Sequence, residues 1–224
     1  FKTADASGVA RNISLGGVLS GSGGFTKTGG GSLSLSGDNT YTGVTTVNAG
    51  KLLVNGSLAG NGAVTVGNGG ALGGTGKING AVSVQNGGTL SPGASISTLT
   101  FSNALTLAAG STTFVELSKS PLTNDVVRVL GSLTNGGTLI VTNIGTNALW
   151  VGDSFKLFNA ASYYGTFASL TLPALGSGLA WNTNGVSTNG TLTVIRTGPP
   201  VFDPIVQLAD RNFRLTFSGS NGQN

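Results

Sequence analysis

The chain has 224 residues, of which 39 are glycine and only 8% are charged. Its 38% of hydrophobic residues allows a core, and its net charge of +4, spread thinly along the chain, argues against a nucleic-acid-binding surface. The absence of cysteine and histidine excludes disulfide bonds, thiolate metal sites and histidine-dependent triads. We therefore expect a thin, elongated core, with no cofactor and no metal.

Residues 1–24 predict the first rungs of a repetitive β structure. Short apolar runs alternate here with glycines, which permit turns with positive φ that other residues resist. The apolar residues are Val9, Ile13, Leu15, Val18 and Leu19.

The stretch from Phe25 to Leu52 has the most regular pattern of the chain. Its distinctive residues recur at every second position, which is the period of a β-strand because successive side chains point to opposite faces. Glycines break the alternation into short strands joined by sharp corners, as in the coils of a solenoid. The alternating residues are Phe25, Lys27, Gly29, Gly31, Leu33, Leu35, Gly37, Asn39, Tyr41, Gly43, Thr45 and Val47, and Gly50 and Leu52 close the pattern.

In this register the stretch resembles the autotransporter-associated β-strand repeat of bacterial secreted passenger domains. The family pattern is Leu-x-Lys-x-Gly-x-Gly-x-Leu-x-Leu-x-Gly-x-Asn-x-Tyr-x-Gly-x-Thr-x-Val, followed by Gly-x-Leu, and Phe25 replaces its first leucine. The resemblance covers one repeat, about an eighth of the chain. It implies an all-β, right-handed parallel β-helix located outside the cell or on the bacterial surface, and it implies no catalytic residue.

Residues 53–107 contain the clearest internal repetition. The segment Val64–Leu72 matches Val82–Leu90, and Ser132–Leu139 repeats the motif. A repeat of this length is typical of a solenoid, whose coils bury their faces by stacking. We predict that Val66, Val84 and Leu133 are buried, with Val66 and Val84 in neighbouring coils, and that Asn68 and Asn86 stack at one corner.

Residues 108–195 have longer, more aromatic strands and are predicted to continue the β-helix, which spans residues 1–195 in this interpretation.

Four aromatic residues here have two alternative roles. The period of two places several of them on the same strand face as leucine and valine, which favours a position in the core or in an end cap. Aromatic rings with a polar tip also serve as ligand-binding platforms, which is the alternative. These residues are Trp150, Tyr163, Tyr164 and Trp181.

The C-terminal part of the chain differs in composition. Residues 196–204 hold three prolines and predict a linker, and residues 205–224 predict a short additional β segment. An isolated hairpin is marginal in water, so we expect this segment to be ordered by its own solenoid or by a neighbouring subunit. The residues expected at such an assembly contact are Val206, Leu208, Phe213, Leu215 and Phe217.

The ionisable residues argue against an enzyme. A glycosidase needs two carboxylates about 5–10 Å apart, and among the seven acidic residues only Asp125 and Asp153 are loosely compatible with a shared face. A lyase needs a basic residue poised near neutral pH, and Lys51 and Lys77 have no acidic neighbours within their own coils. No run of eighteen apolar residues predicts a membrane-spanning helix.

Three functions therefore remain open. The first is a structural, non-catalytic extracellular module that self-associates head to tail into a fibre. The second is an adhesin or carbohydrate-binding module that recognises surface polysaccharide or another cell. The third, a polysaccharide-degrading β-helix enzyme, has the least support from the residues.

Overall fold

The computed structural model describes residues 1–93 and 95–198, together with four two-residue strands beyond them. These residues form 27 strands and no helix. The first strands are β1 (Ile13–Leu15), β2 (Phe25–Lys27), β3 (Ser32–Leu35), β4 (Asp38–Asn39), β5 (Thr45–Val47), β6 (Gly50–Val54), β7 (Ser57–Leu58), β8 (Val64–Val66), β9 (Gly70–Gly74), β10 (Lys77–Ile78), β11 (Val82–Val84), β12 (Thr89–Pro92), β13 (Thr98–Phe101) and β14 (Leu105–Leu107). The later strands are β15 (Thr112–Ser118), β16 (Thr123–Asn124), β17 (Val126–Asn135), β18 (Thr138–Asn143), β19 (Ser154–Lys156), β20 (Phe158–Gly165), β21 (Ser169–Thr171), β22 (Leu179–Asn182), β23 (Thr191–Arg196), β24 (Val201–Phe202), β25 (Val206–Gln207), β26 (Phe213–Arg214) and β27 (Phe217–Ser218).

Parallel ladders of these strands form three faces of a coiled chain. The first face runs β1-β3-β6-β9-β12-β15-β18-β21. The second runs β2-β5-β8-β11-β14-β17, and the third runs β4-β7-β10-β13-β17. The long strand β17 belongs to both, because Val126–Val129 pairs with β13 and Leu133–Thr134 pairs with β14. The all-β parallel β-helix expected from the sequence is confirmed.

The core is built from columns of aliphatic side chains that occupy equivalent positions in successive coils. Val66 pairs with Val84 in the neighbouring coil, and both are fully buried, as is Leu133. Alternate residues of each strand point inward, so that the strands Val64–Val66 and Val82–Val84 each bury their two valines and leave the central residue half-exposed. The predicted burial and register of these residues are confirmed.

The coils become longer towards the C-terminal end of the β-helix. In an early coil of the first face Ser32 pairs with Lys51, whereas in the last coil of that face Thr138 pairs with Ser169, so the later coil contains a much longer piece of chain. Within the described residues the first face stacks eight strands, which corresponds to about 34 Å at the usual strand spacing of roughly 4.8 Å.

The parallel coils do not continue to residue 195, so this part of the predicted β-helix is wrong. The last strand of the first face is β21, and the strands β19, β23 and β22 form a separate antiparallel sheet. The last coils contain longer stretches of chain than the early coils, and this additional chain forms the local antiparallel sheet. The antiparallel sheet ends the parallel ladder.

Beyond residue 198 the backbone forms two antiparallel pairs, β24 with β27 and β25 with β26. Val206, Phe213 and Phe217 lie in these strands, but their side chains lie outside the described structure. Leu208 and Leu215 lie outside the described residues altogether. The expected assembly role of these five residues stays a prediction.

The corner predicted for the two asparagines exists. Gly69 and Gly87 follow Asn68 and Asn86 with φ of +80° and +72°, and the Gly69 amide donates to the Gly87 carbonyl over 3.1 Å. The Asn68 carboxamide lies over Gly87, where an added Cβ would be 2.3 Å from Asn68 Oδ1. Gly87 is therefore needed both for its conformation and for the asparagine of the preceding coil, whereas at Gly69 the positive φ alone favours glycine.

We expect Gly50→Ala to reduce the free energy of unfolding by about 3 kcal/mol, because it combines backbone strain with a steric clash. Gly50 has a φ of +64°, and an added Cβ would be 2.3 Å from the Gly31 carbonyl oxygen. Gly16→Ala is the matched control, since Gly16 has open space around it. Urea denaturation of both variants checks the prediction, which equal stability of the two would contradict.

Candidate functional site

Lys27 lies inside the β-helix rather than at its surface. Its side chain is fully buried, and Nζ donates to the carbonyl oxygens of Thr28 (3.1 Å), Gly29 (2.8 Å) and Ala49 (2.7 Å). Ala49 belongs to the next coil, so the ammonium group joins two coils at a corner. Burial lowers the pKa of Lys27, while the three carbonyl oxygens supply the acceptors that a buried ammonium requires.

Asn39 joins three successive coils from the interior. Its Oδ1 accepts from the Leu19 amide (2.9 Å), and its Nδ2 donates to the carbonyl oxygens of Gly37 (2.8 Å) and Ser57 (3.1 Å). The side chain is fully buried. All its hydrogen bonds run to backbone groups, so it closes a polar network that would otherwise leave buried groups unpaired.

A third buried contact lies within the same repeat. Tyr41 and Thr45 share a hydrogen bond of 2.6 Å between their hydroxyl oxygens, and both residues are buried. The Tyr41 ring lies edge-on to Phe25 at 5.4 Å between centroids. Four polar positions of the repeat thus have interior structural roles. The sequence pattern identified these positions but assigned them no function, because alternation alone shows which face a residue occupies and not what it bonds.

The four aromatic residues considered as a ligand platform do not form one surface. Trp181 packs against buried Phe155 at 6.2 Å and donates from Nε1 to the Pro173 carbonyl oxygen. The Tyr163 hydroxyl accepts from the Ala160 amide and donates to the Phe158 carbonyl oxygen, both at 3.0 Å. These two residues brace the wall of the helix.

The other two aromatic residues are exposed. Tyr164 is the neighbour of Tyr163 in β20 and is 58% exposed, and Trp150 is 67% exposed. Trp150 borders a groove of about 460 Å³ with Leu179 and Arg196, and none of the other three aromatic residues lines that groove in the described structure. A platform shared by all four is therefore not formed.

A polar pocket of about 230 Å³ lies beside the first face, between the middle and the late coils. Its ionisable groups come from three elements: Lys51 from β6, Glu116 from β15 and Asp125 from the residue before β17. The remaining wall includes Gly93, Phe114 and Thr142. Coil stacking thus brings together residues that are far apart in the sequence.

Lys51 reaches this pocket by crossing the coil that follows its own. Leu52 is buried, so its neighbour Lys51 points outward, and Nζ lies 3.4 Å from Ser91 Oγ and 3.3 Å from the Gly93 carbonyl oxygen. Gly73 lies beneath the lysine stem, where an added Cβ would be 2.8 Å from Cε. Burial lowers the pKa of Lys51, and the negative charges of Glu116 and Asp125 partly offset that effect.

Asp125 is the most constrained group of the pocket. It is 1% exposed, and its two carboxylate oxygens accept from the amides of Ser97 and Glu116, each at 2.8 Å. Burial raises its pKa to about 6, and the Glu116 charge acts in the same direction, while the two hydrogen bonds and Lys51 oppose the shift.

The acidic neighbours of Lys51 come from later coils, so the expectation that its own coil contains none is not contradicted, although it missed them. The shared face expected for Asp125 and Asp153 is wrong. Asp125 faces Glu116 and not Asp153, since Asp153 instead forms an ion pair with Lys119 and accepts from the Trp150 amide at 2.7 Å. The sequence feature that could have indicated the pocket is the pair of small residues Ala71 and Gly73 in β9, the strand that follows β6 along the first face. These small residues leave space for the long side chain of Lys51.

We expect Asp125 to make the protein less stable as the pH rises. Because its pKa is raised on folding, the folded state binds this proton more tightly than the unfolded state does. The stability is therefore fully present below about pH 4 and is lost as the pH rises through about 6, by up to about 3 kcal/mol. Denaturation curves at pH 4 to 7 should show this decline in the wild type and not in Asp125→Asn, and parallel curves would contradict the assignment.

Other site types have no support in the described residues. They contain no group of three or more His, Cys, Asp or Glu residues arranged to hold a metal ion. In the same part of the chain, no helix has the length and hydrophobicity required to span a membrane.

Comparison with known proteins agrees with the resemblance found in the sequence. Residues 25–54 match the family model described as the passenger-associated-transport-repeat. The chain is 38% identical over 124 residues to an extracellular serine protease of Serratia marcescens, covering 55% of this chain and 12% of that protein. It is 38% identical over 170 residues to the adhesin BmaC autotransporter of Brucella suis biovar 1, covering 67% of this chain and 4% of that protein.

The chain thus resembles sections of autotransporter passengers and spans only a small part of either relative. The repeat match and both relatives indicate an extracellular or cell-surface location, as expected from the sequence. The repeat match includes Lys27, Asn39, Tyr41 and Thr45, the residues whose buried contacts join or brace the coils.

Proposed function

We propose that this chain is a non-catalytic structural section of a secreted or surface-exposed passenger, which holds other parts of that protein at a distance. The observation that carries the proposal is the continuous stack of coils, joined from the inside by Lys27 and Asn39. The passenger repeat and the adhesin relative support a non-enzymatic section.

Stiffness follows from how the coils are held together. Each coil pairs its backbone with its neighbours on three faces, and a fully aliphatic column such as Leu33, Leu52, Leu72 and Leu90 passes through the centre of the stack. In a solenoid each coil contacts only its neighbours, so every additional tie between coils limits local opening. Such a body resists bending and proteolysis, which suits a spacer outside the cell.

Small-angle scattering and limited proteolysis of the isolated chain test this function. A structural section gives an elongated particle, with protease cuts confined to loops outside the stacked strands. A screen against peptide and polysaccharide substrates gives no turnover. A compact particle, cleavage within residues 25–107, or reproducible turnover would contradict the proposal.

Head-to-tail association into a fibre is a second candidate. The supporting observation is the first coil, where Ile13, Leu15 and Phe25 pack on the core but remain only partly buried. Another coil placed on β1 would cover Ile13 and Leu15 and pair the open edge of that strand, whereas Phe1 and Lys2 already lie along the edge of β2. Light scattering over a wide concentration range distinguishes the states: growing particles support the fibre, and a monodisperse monomer at high concentration excludes it.

A further inference from the structure

The polar pocket carries an inference about binding that goes beyond a structural function. We propose that the pocket formed by Lys51, Glu116 and Asp125, with Phe114 in its wall, binds one unit of a neutral saccharide.

The arrangement of charges selects the class of ligand. Within the described residues the only ion pairs are Arg11–Asp5 and Lys119–Asp153, so Lys51 is not paired with either carboxylate of its pocket. A metal cation would be repelled by the ammonium group, and an anionic ligand would be repelled by two carboxylates. Neutral hydroxyl groups satisfy both sides, because a hydroxyl donates to a carboxylate and accepts from an ammonium group.

The apolar wall fits the same ligand. Phe114 is 40% exposed although it lies beside the buried Val115, so its ring is available at the pocket. A sugar ring presents an apolar C–H face together with its hydroxyl groups, and that face packs on an aromatic ring. Pro92 extends the apolar part of the lining.

Size and rigidity are also suitable. The volume of about 230 Å³ is somewhat below the roughly 300–1,000 Å³ of pockets for drug-sized ligands, which suits a single ring. Asp125 is fixed by two backbone amides, and Lys51 is directed into the pocket by Ser91 and Gly93. Groups that are already fixed lose little conformational entropy on binding.

A glycan array that carries neutral and acidic oligosaccharides tests the proposal. We expect the wild-type chain to bind neutral glycans in preference to acidic ones. Titration of the isotopically labelled chain with the strongest neutral glycan should shift the amide resonances of Gly93, Glu116 and Thr142, which belong to pocket residues.

Two variants locate the binding site. Phe114→Ala and Glu116→Gln should each weaken binding of that glycan about tenfold or more, and both replace side chains that are at least partly exposed. Trp150→Ala is the matched control, because it removes a more exposed aromatic ring from a different groove. Thermal melts establish that each variant is folded.

Several results would overturn the proposal: no neutral glycan bound by the wild type, a preference for acidic glycans, or binding unchanged in both pocket variants. Loss of binding in Trp150→Ala alone would place the site at the other groove. None of these results alters the scattering and proteolysis that test the structural function.

Discussion

Val84→Asp is expected to destabilise the β-helix by about 4–5 kcal/mol. Val84 is fully buried and lies between Val66 and Leu107 of the neighbouring coils. A carboxylate at this position has only aliphatic neighbours along its column, so it must be buried without a partner or displace the strand. Chemical denaturation followed by circular dichroism measures the change.

Ser83→Asp provides the control within the same strand. Ser83 points outward and is half-exposed, and its hydroxyl accepts from Gln85 Nε2. The same substitution one residue away should change the free energy of unfolding by less than about 1 kcal/mol. If the two variants were equally stable, the inward and outward assignments of this face would be incorrect.

Lys27→Met should reduce the free energy of unfolding by about 2–3 kcal/mol, because three buried carbonyl oxygens lose a charged donor. Methionine fills a similar volume, so the substitution leaves the packing largely intact. Relief from burying an ammonium group offsets part of the loss. Thermal and urea denaturation measure the remainder.

Lys77→Met is the matched control for this substitution. Like Lys27, Lys77 lies close to glycines in the sequence. Because Lys77 is exposed in β10, its replacement should change the free energy of unfolding by no more than about 0.5 kcal/mol. A Lys27→Met variant as stable as Lys77→Met would show that the buried ammonium group does not hold the coils together.

Much of the fold was predictable from the sequence because the pattern has a physical cause. The strict alternation from Phe25 to Val47 determines which residues face inward, and the repetition of Val64–Leu72 as Val82–Leu90 determines which coils are neighbours. The end of the parallel ladder was not predictable in this way. The residues between β18 and β23 have a composition typical of strands, and such a composition fits parallel and antiparallel pairing equally well. Composition alone therefore could not predict which pairing these residues form.

The candidate pocket was harder to predict for a different reason. Lys51 and Glu116 lie far apart in the sequence, and three coil spacings separate β6 from β15 along the first face. Because the coils are unequal in length, the register between distant strands cannot be obtained by adding up a fixed repeat. The role of Lys27 was hidden by its residue type, since a lysine is seldom fully buried unless its charge is satisfied.

Native-state hydrogen exchange in Lys27→Met and Lys77→Met tests most directly whether the polar residues of the repeat hold neighbouring coils together. The Lys51 amide donates to Gly31 of the preceding coil, and the Asn79 amide donates to Leu58 in a more distant pair of coils. We predict that Lys27→Met accelerates exchange of the Lys51 amide by about tenfold or more, equivalent to about 1.4 kcal/mol. The Asn79 amide should change less than about twofold, and Lys77→Met should affect neither, because solenoid coils open locally. Unchanged exchange at Lys51 in Lys27→Met would contradict the interior role of the repeat residues.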